Sequence, residues 1–133
     1  MEADFQDTLH AALATFASDN AFPVKWEGYE VEGEPDLYLA PAILPVTPEQ
    51  LLVKGVGAKH VWLYQVSFYV RKGQPLDLAR AALDLLIADW PIETRFAGSS
   101  RTFQVERPAK VIPPVPSDGW TFIPVQFRLS TIS

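Results

Sequence analysis

The chain has 133 residues, 48% hydrophobic and 20% charged, which suits one globular domain spanning residues 1–133 and is too short for two comfortable cores. There is no cysteine, so a disulfide framework and a thiolate zinc site are both excluded. A net charge of −5 argues against nucleic-acid binding through a basic surface. No apolar run approaches transmembrane length and the opening MEADFQDTLH is not signal-like, so the product is expected to stay where it is made.

Phe5, Leu9, Ala12, Leu13 and Phe16 recur at helical spacing and predict an amphipathic helix over residues 2–18, with Asp4 and Asp7 near its start where the helix dipole favours acids. Ser18, Asp19 and Asn20 end it. Residues 22–26 read as a short strand and GYEVEGEP as a polar turn. Asp36 to Leu44 is a second strand, with Pro41 arguing for an edge or a bulge.

Residues 45–59 form a connection marked by Pro48, Gly55 and Gly57 that is longer than a compact domain usually tolerates, and it carries Leu51, Leu52 and Val53 with no obvious place to hide. Next comes HVWLYQVSFYVRK, a long alternating strand. Trp62, Tyr64, Val66, Phe68 and Val70 share a core face. The other face holds Val61, Leu63, Gln65, Ser67 and Tyr69, too apolar for a plain solvated surface. A second helix is predicted from Pro75 to Asp89, with Leu76, Ala79, Leu83, Leu86, Ile87 and Trp90 as its buried stripe and Pro91 as its stop.

Arg101 to Arg107 alternates with Phe103 and Val105 inward. AKVIPPVPSDG reads as a proline-laden connection that cannot be a central strand. Trp120 to Leu129 is the last strand, with Ile123, Val125, Phe127 and Leu129 facing the core and Pro124 where one amide can be lost. The order predicts an α+β fold: a mostly antiparallel sheet with two helices packed on one face. Tyr69, Trp120 and Phe122 fall on registers opposite the core and are candidates for contacting a partner.

Chemistry is hard to find. His10 and His60 lack metal-ligand or catalytic neighbours and read as boundary residues. Glu30, Glu32, Glu34 and Asp36 alternate along a turn without the order of an EF-hand loop. Gly98-Ser99-Ser100 lacks the frame of a nucleophile elbow, and no histidine follows it, which excludes a triad in the usual hydrolase order. The glycines of KGVGAKH have the wrong spacing for a phosphate loop. No enzyme, cofactor or metal site is expected. Trp26, Trp62, Tyr64, Phe68, Trp90 and Phe103 could line a ligand pocket, but their registers favour core packing.

Charge is uneven along the chain. Ten acids face Lys25 alone from Met1 to Glu49, and ten bases face six acids from Gln50 onward. Acids gathered on solvated faces account for this, as does a bipolar subunit whose copies meet with opposite charge.

The N-terminal helix, the long mid-chain connection, YQVSFYV, a glycine-containing turn into a helix ending Trp90-Pro91, and the terminal GWTFIPVQFRL together resemble the phage tail-terminator (tail-completion) proteins of long, non-contractile-tailed phages of the lambda type, often carried in prophages. Tyr64-Gln65-Val66, Phe68-Tyr69-Val70, Gly119-Trp120 and Pro124-Val125 carry the match, which spans residues 5–129. The resemblance implies a structural subunit of the virion tail, assembled in the bacterial cytoplasm. It would form a ring, a hexamer, on the end of the tail tube, stopping polymerisation and presenting a surface to the head-tail connector. Its implied partners are copies of itself, the major tail tube protein and the connector, with neither nucleic-acid sequence recognition nor a membrane. The residues expected at subunit or tube contacts are Leu51, Leu52, Val53, Lys54, Lys59, Val61, Leu63, Tyr69, Trp120 and Phe122. A small α+β ligand-binding or regulatory domain with an apolar pocket between helices and sheet is the alternative from a different class, and another neck component the third reading.

Overall fold

A computed structural model describes residues 2–28, 33, 35–44, 61–99 and 101–132. Among them are two helices, α1 (Glu2–Asn20) and α2 (Asp77–Asp89), and seven strands: β1 (Leu37–Leu44), β2 (Val61–Arg71), β3 (Arg95–Ala97), β4 (Thr102–Val105), β5 (Lys110–Val111), β6 (Val115–Ser117) and β7 (Trp120–Ile132). Every strand pair is antiparallel, the order is β1-β2-β7-β4-β3, and β5 and β6 also pair with β7. The sheet curls into a half-barrel with the two helices, giving the expected α+β architecture.

α1 runs two residues beyond its expected end and closes with a Schellman turn. The Phe22 amide donates to the Ala17 carbonyl at 2.8 Å and the Ala21 amide to the Ser18 carbonyl at 3.3 Å. Phe22 then lies 5.9 Å from Phe16, the apolar contact that accompanies this motif. The left-handed position is filled by Ala21 (φ 57°), where glycine is usual.

The strand expected at residues 22–26 reduces to a single parallel bridge between Val24 and Leu39. Pro23 supplies no donor, and only its carbonyl and the Lys25 amide reach Leu39, so one position pairs and no ladder develops. Because Leu39 turns its backbone groups toward this segment, Pro41, two residues on, turns its missing donor outward at the sheet edge, as expected of a proline in a strand.

The proline-laden connection contains more structure than its sequence suggested. β5 and β6 both pair with β7, interrupted at Pro113 and Pro114. The Ile112 amide donates to the Pro124 carbonyl at 2.9 Å. In an antiparallel ladder, the N–H and C=O of one residue face the same neighbour. The donor that Pro124 lacks therefore faces the break between β5 and β6, which is how a proline sits in the middle of the central strand. Asp118 (φ 26°) and Gly119 (φ 83°) join β6 to β7 with two consecutive positive φ angles, as in a type I′ hairpin. The Asp-Gly pair was the signal for that hairpin. β3, only three residues long, had none.

The core lies between helices and sheet. Phe5, Leu9, Leu13 and Phe16 from α1 and Ala79, Ala82, Leu83 and Leu86 from α2 are buried against Tyr64, Val66, Phe68 and Val70 of β2 and Ile123, Val125, Phe127 and Leu129 of β7. The expected α2 stripe holds, with Ala82 added and Leu76 and Ile87 only partly buried. Trp62 is partly buried and stacks on Phe5 at 4.9 Å. The β3–β4 hairpin is clasped to α1: Asp4 Oδ1 accepts from the Ser99 amide at 2.8 Å and its hydroxyl at 2.9 Å. A Cβ on Gly98 would stand 2.8 Å from both Asp4 carboxylate oxygens and 2.9 Å from the Arg101 carbonyl, so this position requires glycine.

Two stability outcomes follow from this packing. Phe68→Ala should lower the unfolding free energy by roughly 3–5 kcal/mol in denaturant titration. An unchanged midpoint would mean that Phe68 does not face the core. Ala21→Gly should raise stability by about 1 kcal/mol, since it relieves a left-handed alanine and keeps both closing hydrogen bonds.

Candidate interaction surface

By strict alternation, the face of the sheet turned away from the helices carries the even residues of β1, the odd residues of β2 and the even residues of β7. Cross-strand register then sets Tyr38 beside Tyr69 and Tyr69 beside Phe122. The three rings stack in a row: Tyr38–Tyr69 at 4.7 Å and 5°, Tyr69–Phe122 at 4.7 Å and 26°. Trp120 meets Tyr38 edge-on at 4.9 Å, and the Arg71 guanidinium lies 4.9 Å over the Trp120 ring. Val115, opposite Phe122 on β6 and 37% exposed, extends the row to a fourth strand.

Arg71 fixes the end of this row. Its Nη2 donates to the Pro35 carbonyl at 3.1 Å and its Nε lies 3.6 Å from Asp36 Oδ1. All four aromatic residues are half-buried. Burial pushes the Tyr38 phenol above its ordinary value, with a smaller push from Tyr69, and burial alone raises Tyr69. The row is a flat, stiff, apolar surface with hydroxyls on two of its rings, the character of side chains that anchor protein contacts.

Further along the same face the chemistry changes. Small residues, Ala40, Ser67 and Pro124, form the next row. Beyond them Gln126 Nε2 donates to Gln65 Oε1 at 3.1 Å, and Gln65 Nε2 to Ser67 Oγ at 3.3 Å. A partly buried ion pair follows, Arg128 Nε to Glu106 Oε2 at 2.8 Å.

Tyr69, Trp120 and Phe122 lie on the outward registers expected of them, and the fold gathers them into one patch. Tyr38 completes it and was not anticipated, because the pairing of β1 with β2 is a long-range fact that DLYLAPAIL does not contain. Leu63 lies on the same face but six residues along β2, about 20 Å from Tyr69, so it belongs to another part of the surface. Val61 is corrected: it is 8% exposed and offers no spare apolar surface. Leu51, Leu52, Val53, Lys54 and Lys59 lie outside the described residues, as do His60, Glu30, Glu32 and Glu34. The division of charge between the two ends of the sequence does not carry into space, since α1 brings Asp4 onto the β3–β4 hairpin.

His10 is the second point of chemical interest. Its Nδ1 lies 2.7 Å from the hydroxyl of Tyr64, a fully buried tyrosine at the centre of the core. The imidazole packs 5.0 Å from Trp26 beside a surface groove lined by Gln6, Ala11 and Glu27. Burial raises the Tyr64 phenol, so it stays protonated, and lowers the His10 value, against opposing pulls from Asp7 and Glu27. With Nδ1 unprotonated, a neutral His10 accepts a hydrogen bond from the Tyr64 hydroxyl, which keeps its proton. The pair ties α1 to β2.

A stacked, half-buried aromatic surface of this kind is suited to contact with another protein. The comparisons with known proteins agree. The family model for the phage tail terminator protein matches residues 4–128, and the chain belongs to that family. A solved structure at 20% sequence identity superposes with a TM-score of 0.69 over 96% of this chain and 96% of its own, a likeness of fold alone. No curated protein matches. The family is structural and non-enzymatic, acts on the tail tube to terminate it, and places the chain in the virion tail.

The His10–Tyr64 pair gives a pH dependence of defined sign. Because the folded His10 value lies below its unfolded value of 6.5, the associated stability is fully present above pH 6.5 and is lost as pH falls below it. The denaturant midpoint should therefore decline from pH 7 to pH 5, and decline less in His10→Gln. Parallel curves for the two proteins would show that His10 does not titrate against the fold.

Proposed function

We propose that this chain, acting as one domain over residues 1–133, caps the finished tail tube as a hexameric ring and offers the ring's free side to the head-tail connector. A cap of this kind works by geometry: it binds the last layer of the major tail tube protein and withholds the surface on which another layer would grow. The observation that carries the reading is the aromatic row, an apolar surface on the sheet face that the helices leave uncovered, in a chain of the tail-terminator family. Between α2 and the sheet the described residues leave an open groove, lined by Leu83, Val111, Ile112, Pro113 and Ile123, rather than an enclosed interior pocket. The rest of the space between helices and sheet is filled by Phe5, Leu9, Leu13, Tyr64, Phe68, Phe103 and Phe127, all fully buried.

The connection containing Leu51, Leu52, Val53, Lys54 and Lys59 belongs to the same proposal. Its three apolar residues contribute a driving force on docking of roughly 25 cal/mol per Å² of apolar area buried. Its lysines favour an acidic neighbour, which makes assembly sensitive to salt.

Tube subunits polymerised in the presence of the purified protein should stop at short lengths and bind connector at the capped end. Replacing Glu49 to Gly57 with a short glycine-serine turn should leave a cooperatively folding protein that no longer completes tails. Uncapped growth with the intact protein would remove the capping function. Normal completion by the shortened protein would reduce that connection to a linker.

A further inference from the structure

The sheet separates charge by face. Register places Arg71, Arg95, Lys110 and Arg128 on the face away from the helices; Arg71 pairs with Asp36 and Arg128 with Glu106, so Arg95 and Lys110 carry the basic excess of that face. The helix layer is the reverse. α1 carries Asp4, Asp7 and Asp19 with no lysine or arginine, and α2 carries Asp77, Asp84 and Asp89 against Arg80. Asp89 sits in the last turn of α2, where the helix dipole disfavours an acid and no base accompanies it.

Apolar exposure follows the same two faces. Among the described residues, the large apolar side chains most open to solvent are Leu78, Leu85, Ile92, Val111 and Val115. Leu78 and Leu85 stand one heptad apart on the outer side of α2, with exposed Ala81 and Ala88 between and beyond them, and Ile92 follows just past the helix. α2 is therefore apolar on two sides, and the sheet uses one of them. Val115 lies on the opposite side of the molecule, at the end of the aromatic row.

The geometry points to a head-to-tail contact between copies of this chain, in which the aromatic row and basic sheet face of one subunit receive the outer side of α2 of the next. Opposite charge and two apolar surfaces meet in this arrangement, whereas joining like faces would set acid against acid or base against base. Surfaces on opposite sides of one sheet cannot satisfy each other within a molecule or across a two-fold axis. They form a heterologous interface that closes into a ring when the rotation allows. The inference rests on the ring proposed above and names the surfaces that would build it.

Charge exchange and cross-linking test this. Lys110→Glu and Asp89→Lys each should weaken self-association at low salt about tenfold in sedimentation velocity, and the double variant should recover most of the loss. Asp89→Lys removes an acid that the helix dipole disfavours, so a loss of assembly in that variant cannot be assigned to misfolding. The cysteine-free chain also accepts a reporter pair. Ser117→Cys with Ala88→Cys places two exposed thiols on opposite sides of the sheet, beyond the reach of an intramolecular disulfide. Oxidised on capped tubes, the pair should give a ladder of covalent multimers ending at the ring size, while each single variant gives dimers at most. No ladder on tubes that are capped normally, or charge variants that associate like the wild type, would overturn this contact and leave the capping function standing. Failure of the intact protein to cap tubes would instead strike the reading on which the contact rests.

Discussion

The structure depends on the pairing of β7. This strand accepts β2 along eleven positions on one side and β4, β5 and β6 in succession on the other. Such a strand has few unpaired backbone groups to spare. The proline at its centre is tolerable because the neighbouring segment breaks at Pro113 and Pro114 where a donor would otherwise be missed. The same β7 supplies core residues on one face and the row-forming Phe122 and Trp120 on the other. A slip of one residue would exchange these roles and expose Ile123, Val125, Phe127 and Leu129.

The helix layer is attached by aromatic and polar contacts of different reach. Phe5 stacks on Trp62 and meets Tyr64 and Phe103 edge-on, while Trp90 at the end of α2 meets Phe96 and Phe127. These contacts link β2, β7, β4 and β3 through two side chains, so the sheet's curl and the helix positions are coupled. The Asp4–Ser99 clasp and the His10–Tyr64 hydrogen bond then set the rotation of α1 about its axis. Packing of this density leaves the two outer surfaces as the places where the molecule can do something other than fold.

An assembly protein needs surfaces that are stable while uncovered. The aromatic row meets this condition by stacking: each ring is partly covered by its neighbour, which reduces its exposed apolar area before any partner arrives. Clamping by Arg71 has the same effect at the Trp120 end. Restricting these side chains in advance also lowers the entropy lost on contact, a source of affinity that adds no new interaction. The division of charge between sheet face and helix layer is a further constraint on association, because like faces of two copies repel each other.

The alternation of HVWLYQVSFYVRK and GWTFIPVQFRL, and the helical spacing of Phe5, Leu9, Leu13 and Phe16, were sufficient to determine the long elements and their inward faces. The reason is that burial of one face imposes a period that local sequence must carry. Tyr69, Trp120 and Phe122 were legible as outward residues for the same reason. Their meeting in one stack was not, since it depends on the register of β1, β2 and β7, which are separated in sequence and joined only by tertiary pairing. β3, β5 and β6 are too short to display a period and exist because a neighbouring strand offers hydrogen-bonding partners. The burial of Val61 and the loss of the strand at residues 22–26 have the same origin, in neighbours that only the folded chain supplies. Charge shows the difference most clearly. Along the sequence it divides into an acidic start and a basic remainder, but in the fold it divides by the two sides of a sheet, because alternation sends successive residues of one strand to opposite faces.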